Sequence, residues 1–103
     1  MKKEDGISLA RELKKRLLKQ GVPVQKVYLF GSVARGETHQ WSDVDIAVVC
    51  LPFQPTRLEE NVEVSKAREA VDLCIETVCL HPEDLLNKYS TIAQELKKHG
   101  IEV

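Results

Sequence analysis

The chain has 103 residues, of which 43% are hydrophobic and 30% charged, and its formal net charge is −1 at pH 7. This composition is typical of a single globular domain spanning residues 1–103, and it excludes disordered and fibrous proteins. The small net charge argues against a protein that coats nucleic acid non-specifically, since that mode of binding needs a strong excess of Lys and Arg.

The apolar pattern predicts helices that alternate with strands. Leucines recur every four residues from Leu9 to Leu17, which indicates an amphipathic helix over residues 7–19. The segment VQKVYLF predicts a first strand at 24–30, and DVDIAVVC predicts a second, buried strand at 43–50. The remaining elements are predicted as a helical turn at 32–36, a helix at 57–70, a strand at 71–80, a turn of helix from residue 82, a helix at 88–98 and a short edge strand at 101–103. This order indicates an α/β (α+β) fold, in which helices pack on a small mixed sheet.

The three cysteines, Cys50, Cys74 and Cys79, lie in or beside apolar segments. Cys74, Cys79 and His81 together form a poor zinc pattern, because their spacing within one strand does not suit a tetrahedral site. The polar N-terminus lacks the apolar run of a signal peptide, and no segment approaches the roughly 18 apolar residues of a membrane span. We therefore expect free thiols, a cytoplasmic location and no membrane association.

Two carboxylates stand at the head of the second predicted strand. Asp43 and Asp45 are two positions apart, so they lie on one face of the strand, about 6–7 Å apart. Like charges held in this way repel each other unless a cation lies between them, and Mg²⁺ accepts such oxygen ligands while keeping positions for phosphates. A third carboxylate would complete a two-metal site. Asp72 is the best candidate, near the start of the third predicted strand, and Glu76 is the weaker one.

The pair Gly31-Ser32 follows the first predicted strand, where the chain has to turn sharply. Glycine lets the backbone approach a ligand closely, and the amides from Ser32 onward are suited to binding an anion. Arg35, one turn further on, either contacts a phosphate or forms a surface salt bridge. A phosphate site and a metal site on neighbouring strand ends together describe a site for a nucleoside triphosphate.

Residues 31–38 also match the spacing of a P-loop, G-x-x-x-x-G-E-T. Glu37 stands where a P-loop has its lysine, and an acidic side chain there would repel the phosphates that the lysine neutralises. The sequence therefore excludes a P-loop NTPase.

Gly31-Ser32, ten intervening residues and then Asp43-x-Asp45 in an apolar strand resemble the G-S-x10-D-x-D signature of the DNA polymerase β-like nucleotidyltransferase superfamily. The A-R-G after the serine, the chain length and the later V-D-L resemble its minimal nucleotidyltransferase (MNT) branch. The resemblance covers about residues 7–103. It implies the polymerase β-like nucleotidyltransferase fold and the in-line transfer of a nucleoside monophosphate, with release of pyrophosphate.

The resemblance also implies a role for each residue of the motif. Gly31 and Ser32 would hold the triphosphate, Asp43 and Asp45 would ligate two Mg²⁺ ions, and Asp72 would be the third acid, which helps to deprotonate the acceptor hydroxyl. The donor in this branch is most often ATP, so the expected reaction is adenylylation.

The acceptor is expected on another chain or on a second copy of this one, because 103 residues leave no further domain to hold it. Minimal nucleotidyltransferases resemble the antitoxins of toxin–antitoxin modules, which adenylylate a tyrosine on a helical HEPN-type ribonuclease. The alternative is a non-catalytic module that neutralises its partner by steric cover. A small-molecule transferase is a weaker alternative.

The uneven distribution of charge and Trp41 are two features of the sequence that have no definite role. Residues 1–20 carry seven Lys and Arg against three acids, and residues 57–103 carry six against ten. Both segments are candidate docking surfaces, although a solvated helix face is the simpler interpretation of the first. Trp41, in the loop before Asp43, either stacks on a base or acceptor or covers the edge of the core.

Overall fold

The computed structural model describes residues 2–37 and 43–103. Trp41 lies outside the described residues. The elements in chain order are helix α1 (Lys3–Lys19), strand β1 (Val24–Phe30), helix α2 (Gly31–Ala34), strand β2 (Val44–Cys50), helix α3 (Arg57–Val71), strand β3 (Ile75–Leu80), a 3₁₀ helix (Pro82–Leu86), helix α4 (Thr91–His99) and strand β4 (Ile101–Glu102). Over these two ranges, every helix is too short or too polar to cross a membrane.

The four strands form one mixed sheet in the order β3-β2-β1-β4. β1 runs antiparallel to both β2 and β4, and β2 runs parallel to β3. The predicted class, a small mixed sheet with helices packed on it, is confirmed.

The largest difference from the predicted elements lies before β3, which begins at Ile75 and not at residue 71. Val71 completes the last turn of α3, and Asp72 caps the helix, with its N–H donating to the carbonyl oxygen of Arg68 at 2.9 Å. The carboxylate of Asp72 then accepts the N–H of Cys74 at 2.9 Å. The prediction was wrong here because an apolar VDLC segment suits a helix end followed by a turn as well as it suits a strand.

The core lies on one face of the sheet, under α1 and α3. On β2, Val44, Ile46 and Val48 are fully buried and belong to this core. Because side chains alternate along a strand, Asp45 lies on the opposite face. The two helices contribute a further buried set: Leu13 and Leu17 from α1, and Val64 and Ala67 from α3.

All three cysteines are free, as predicted. The Sγ atoms of Cys50 and Cys79 lie 3.2 Å apart in the interior, where both thiols are buried.

A buried hydrogen bond between Glu60 and His81 joins α3 to the end of β3. Glu60 is 2% exposed and His81 8%, and the Glu60 Oε1 lies 2.7 Å from the His81 Nε2. The Glu60 Oε2 accepts the backbone N–H of Phe53 at 2.7 Å. Burial by itself would raise the pKa of Glu60, but the hydrogen bonds from Phe53 and His81 outweigh it and lower the pKa. The carboxylate therefore holds the loop after β2 against the core.

We expect Glu60→Gln to reduce the free energy of unfolding by about 1–3 kcal/mol at neutral pH, because the buried partners lose a charged acceptor. The pKa of Glu60 in the folded chain lies below its ordinary 4.5, so the ionised form favours folding. This contribution is present above the ordinary value and is lost as the pH falls through the folded pKa.

Urea denaturation of both proteins across acidic pH measures this difference. The gap between wild type and Glu60→Gln should narrow as the pH falls below the ordinary value of 4.5. The exposed neighbour Glu59 serves as the control. The free energy of unfolding of Glu59→Gln should stay close to that of the wild type at every pH. If the difference in free energy of unfolding between wild type and Glu60→Gln does not change with pH, the ionised Glu60 carboxylate does not stabilise the fold.

Candidate active site

The Gly31-Ser32 turn and Asp45 meet at one end of the β1–β2 pair. β1 ends at Phe30, whose partner on β2 is Asp45. Gly31 follows with φ +72°, and a Cβ at that position would overlap the Oδ2 of Asp45 and lie 3.1 Å from its Cγ. The carboxylate therefore lies directly against the backbone of the turn.

Three acidic residues lie at or near the starts of β2 and β3, at this edge of the sheet. Asp43 immediately precedes β2 and is exposed, Asp45 is half-buried, and Glu76 is exposed on β3 as the parallel partner of Asp45. Burial first, and then the negative charges of Glu76 and Asp43, raise the pKa of Asp45, whereas the positive charge of Arg35 lowers it. The site thus has an excess of negative charge that a cation would neutralise.

Asp72 lies outside this group of acids. It ends α3, and the hydrogen bond that its carboxylate accepts from Cys74 lowers its pKa. The β2–β3 register pairs Val44 with Ile75 and Asp45 with Glu76, so Glu76 is the acid of β3 that shares a face with Asp45. The sequence signal for Glu76 is its position four residues after Asp72, on the same face of the predicted strand. Glu76 is the weaker candidate in the sequence because that strand is predicted to start at residue 71, next to Asp72, and not at Ile75. The role given to Asp72 stays a prediction.

Ser32 and Arg35 occupy the short helix α2 and its end. Ser32 is half-buried directly after Gly31, and its carbonyl oxygen accepts the N–H of Glu37 at 2.9 Å. Arg35 caps α2, and its guanidinium binds two carboxylates, those of Glu37 and Glu95. Glu95 lies on α4 and was missed by the sequence analysis, because nothing in the sequence connects that helix to the turn.

The donor set suits a hard cation. Within residues 2–37 and 43–103, no three His, Cys, Asp or Glu side chains converge closely enough to enclose a metal ion. The negative charges of Glu76 and Asp43 nevertheless act on Asp45 and help to raise its pKa. Carboxylate oxygens are the ligands that Mg²⁺ prefers. Asp43, Asp45 and Glu76 therefore fit a divalent cation by charge and by chemistry.

Comparison with known proteins gives one family match. The sequence model of the family described as "Nucleotidyltransferase domain" matches residues 10–103. A comparison with curated protein sequences finds no significant match.

Solved structures share the fold. A structure described as that of a nucleotidyltransferase from Sulfolobus solfataricus matches with a TM-score of 0.70 and 20% identity, over 97% of this chain and 80% of that one. A toxin–antitoxin structure with AMP-PNP matches with a TM-score of 0.65 and 25% identity, over 90% of this chain and 70% of that one. A structure of tri-AMPylated Shewanella oneidensis HEPN toxin in complex with MNT antitoxin matches with a TM-score of 0.58 and 20% identity, over 94% and 70%.

Proposed function

Because the chain belongs to the nucleotidyltransferase domain family, we propose that it is a Mg²⁺-dependent enzyme that transfers AMP from ATP to a hydroxyl group on a partner protein. The observation that carries this proposal is the close contact between the Asp45 carboxylate and the Gly31 turn, with Asp43 and Glu76 beside it. Phosphoryl transfer requires a metal ion and the phosphates at one point, and this contact supports the proposal that Asp45 holds the metal while the turn holds the phosphates.

The residues divide between the nucleotide and the metal. The backbone N–H groups of Gly31 and Ser32, together with the guanidinium of Arg35, would bind the triphosphate. Asp43 and Asp45 would hold Mg²⁺, which neutralises charge on the phosphates and lowers the pKa of the acceptor hydroxyl. A third carboxylate would then accept the proton of that hydroxyl.

Two residues compete for the role of third carboxylate. The motif resemblance assigns Asp72, and the strand register favours Glu76, whose neighbour on β2 is Asp45.

We expect Glu76→Gln to lower the transfer rate at least about 10-fold through loss of an acid–base group. Asp72→Asn should affect folding more than transfer, because the Asp72 carboxylate caps the turn at Cys74. Single-turnover rates, with thermal denaturation of both variants, measure the difference. The opposite ranking of the two rates would assign the role to Asp72.

The proposed acceptor is a hydroxyl on a HEPN-type helical protein, and the chain would act as the antitoxin of that pair. The support is similarity of fold to chains of toxin–antitoxin structures, one of which contains an AMPylated HEPN toxin. The alternative is neutralisation of the partner by steric cover, without transfer of a nucleotide. A second copy of this chain is the other acceptor to test.

The test mixes the purified chain with Mg²⁺, ATP labelled at the α-phosphate, and the protein encoded by the neighbouring gene. We expect label on the partner, no label after chelation of Mg²⁺, and none with the variant Asp43→Ala/Asp45→Ala. If that variant neutralises the partner as well as the wild type does, and the wild type transfers no label either, steric cover is the function. Label on this chain instead of the partner would indicate self-modification.

A further inference from the structure

The side chain of Arg35 is held by two carboxylates from different parts of the chain. Its Nη1 lies 2.5 Å from the Glu95 Oε1, and its Nη2 lies 3.3 Å from the Glu37 Oε2. Glu37 is only two residues away, whereas Glu95 reaches Arg35 from α4. Both terminal nitrogens of the guanidinium therefore already donate to a carboxylate.

Arg35 ends the short helix that starts at Gly31, and its backbone N–H donates to the carbonyl oxygen of Gly31 at 3.2 Å. Arg35 is close enough to Asp45 for its positive charge to lower the pKa of that carboxyl. A phosphate that takes Arg35 in a bidentate way needs two N–H groups of the guanidinium at once. Glu95 already takes one N–H group of Nη1, so a phosphate bound to both terminal nitrogens has to share or replace that contact.

We propose that Glu95 competes with the triphosphate for Arg35 and so sets the nucleotide affinity of the site. This inference rests on the proposed function, because it takes the ligand to be a nucleoside triphosphate. Glu95 acts through Arg35 and is a positioning residue, not a catalytic one.

The exposure of the contact favours competition over structural support. The side chains of Arg35 and Glu95 are 33% and 30% exposed, and that of Glu37 is 59% exposed. Ion pairs of this kind contribute little to stability and exchange readily with other ligands. A triphosphate can therefore displace Glu95 from Arg35, but it has to break the Arg35–Glu95 ion pair to do so.

A double-mutant cycle tests the proposal, with the Kd of a fluorescent ATP analogue measured in the presence of Mg²⁺. We expect Glu95→Gln to tighten binding about 2- to 5-fold, the range that corresponds to one exposed ion pair. Arg35→Ala should weaken binding, and in that background Glu95→Gln should have no effect. Glu102→Gln is the matched control: it removes a carboxylate from another exposed pair, with Lys26 at 3.7 Å, and should leave the Kd unchanged.

Steady-state kinetics on the same samples separate competition from a structural role. Glu95→Gln should lower the KM for ATP with little change in kcat. A weaker or unchanged affinity, or the same tightening when Arg35 is absent, would overturn the inference.

Inorganic tripolyphosphate is the second probe, because it offers Arg35 a phosphate chain without a base or sugar. Intact coupling between Glu95 and Arg35 without any label transfer contradicts only the proposed function. Transfer without coupling contradicts only this inference, and the failure of both probes to bind the wild type contradicts both.

Discussion

Replacing Asp45 with Asn should lower nucleotidyl transfer about 10³-fold while leaving the chain at least as stable as the wild type. The loss of activity follows from removing a charged ligand at the point where negative charge has to be neutralised. The stability follows from the surroundings of Asp45, where burial and then the charges of Glu76 and Asp43 raise the pKa of the carboxyl above its ordinary 3.8.

The sign of the stability effect is opposite to that at Glu60. A carboxyl whose pKa is raised in the folded chain disfavours folding when it is ionised, so at pH 7 the neutral Asn removes an unfavourable interaction. Thermal denaturation at pH 7 without metal should therefore give Asp45→Asn a Tm equal to or above that of the wild type. Glu102→Gln, which also removes one exposed charge, is the control for both activity and Tm.

A clear fall in Tm for Asp45→Asn would contradict the excess of negative charge at the site. Activity within about 10-fold of the wild type would contradict a metal-binding role for Asp45.

Gly31→Ala should reduce both stability and transfer. An alanine at φ +72° is strained by about 1–2 kcal/mol. Its Cβ would also overlap the Asp45 Oδ2, so the carboxylate has to move. A displacement of about 1 Å at a reacting centre costs about 10²-fold in rate. Urea denaturation and the label-transfer assay measure the two effects separately.

Gly21→Ala separates backbone strain from the steric effect. Gly21 has φ +85°, and a Cβ at that position would meet no atom of the described residues within 4 Å. Alanine there should therefore lose stability through strain alone and keep full activity. In an Asp45→Ala background, the stability cost of Gly31→Ala should fall toward that of Gly21→Ala. If Gly31→Ala lowers the free energy of unfolding equally in the wild-type and Asp45→Ala backgrounds, the contact with Asp45 does not contribute to the stability cost.

Much of the candidate site was predictable because it depends on residues close in sequence. The motif predicted a phosphate site at Gly31-Ser32 and a metal site at Asp43 and Asp45 on neighbouring strand ends. The structure pairs these two strands and places Gly31 against Asp45. The family prediction that rested on this motif is confirmed by the match over residues 10–103. The mixed sheet with packed helices was likewise predicted from the alternation of apolar segments.

The remaining acid and the partner of Arg35 were not predictable in the same way. Whether Asp72 or Glu76 lies beside Asp45 depends on where α3 stops and on the register of β3 against β2. A parallel register is set by the packing of the crossover helix, and a shift of a few residues changes which side chain reaches the site.

The sequence by itself determined that two carboxylates head a buried strand and that a glycine-serine turn lies ten residues before them. Only the tertiary structure decided that Glu76 is the acid of β3 beside Asp45 and that Glu95 of α4 holds Arg35. The physical reason is the range of the interactions. Charge, turn geometry and strand alternation act between near neighbours, whereas the contacts of Glu76 and Glu95 join residues 31 and 60 positions apart and exist only once the sheet and its helices have packed.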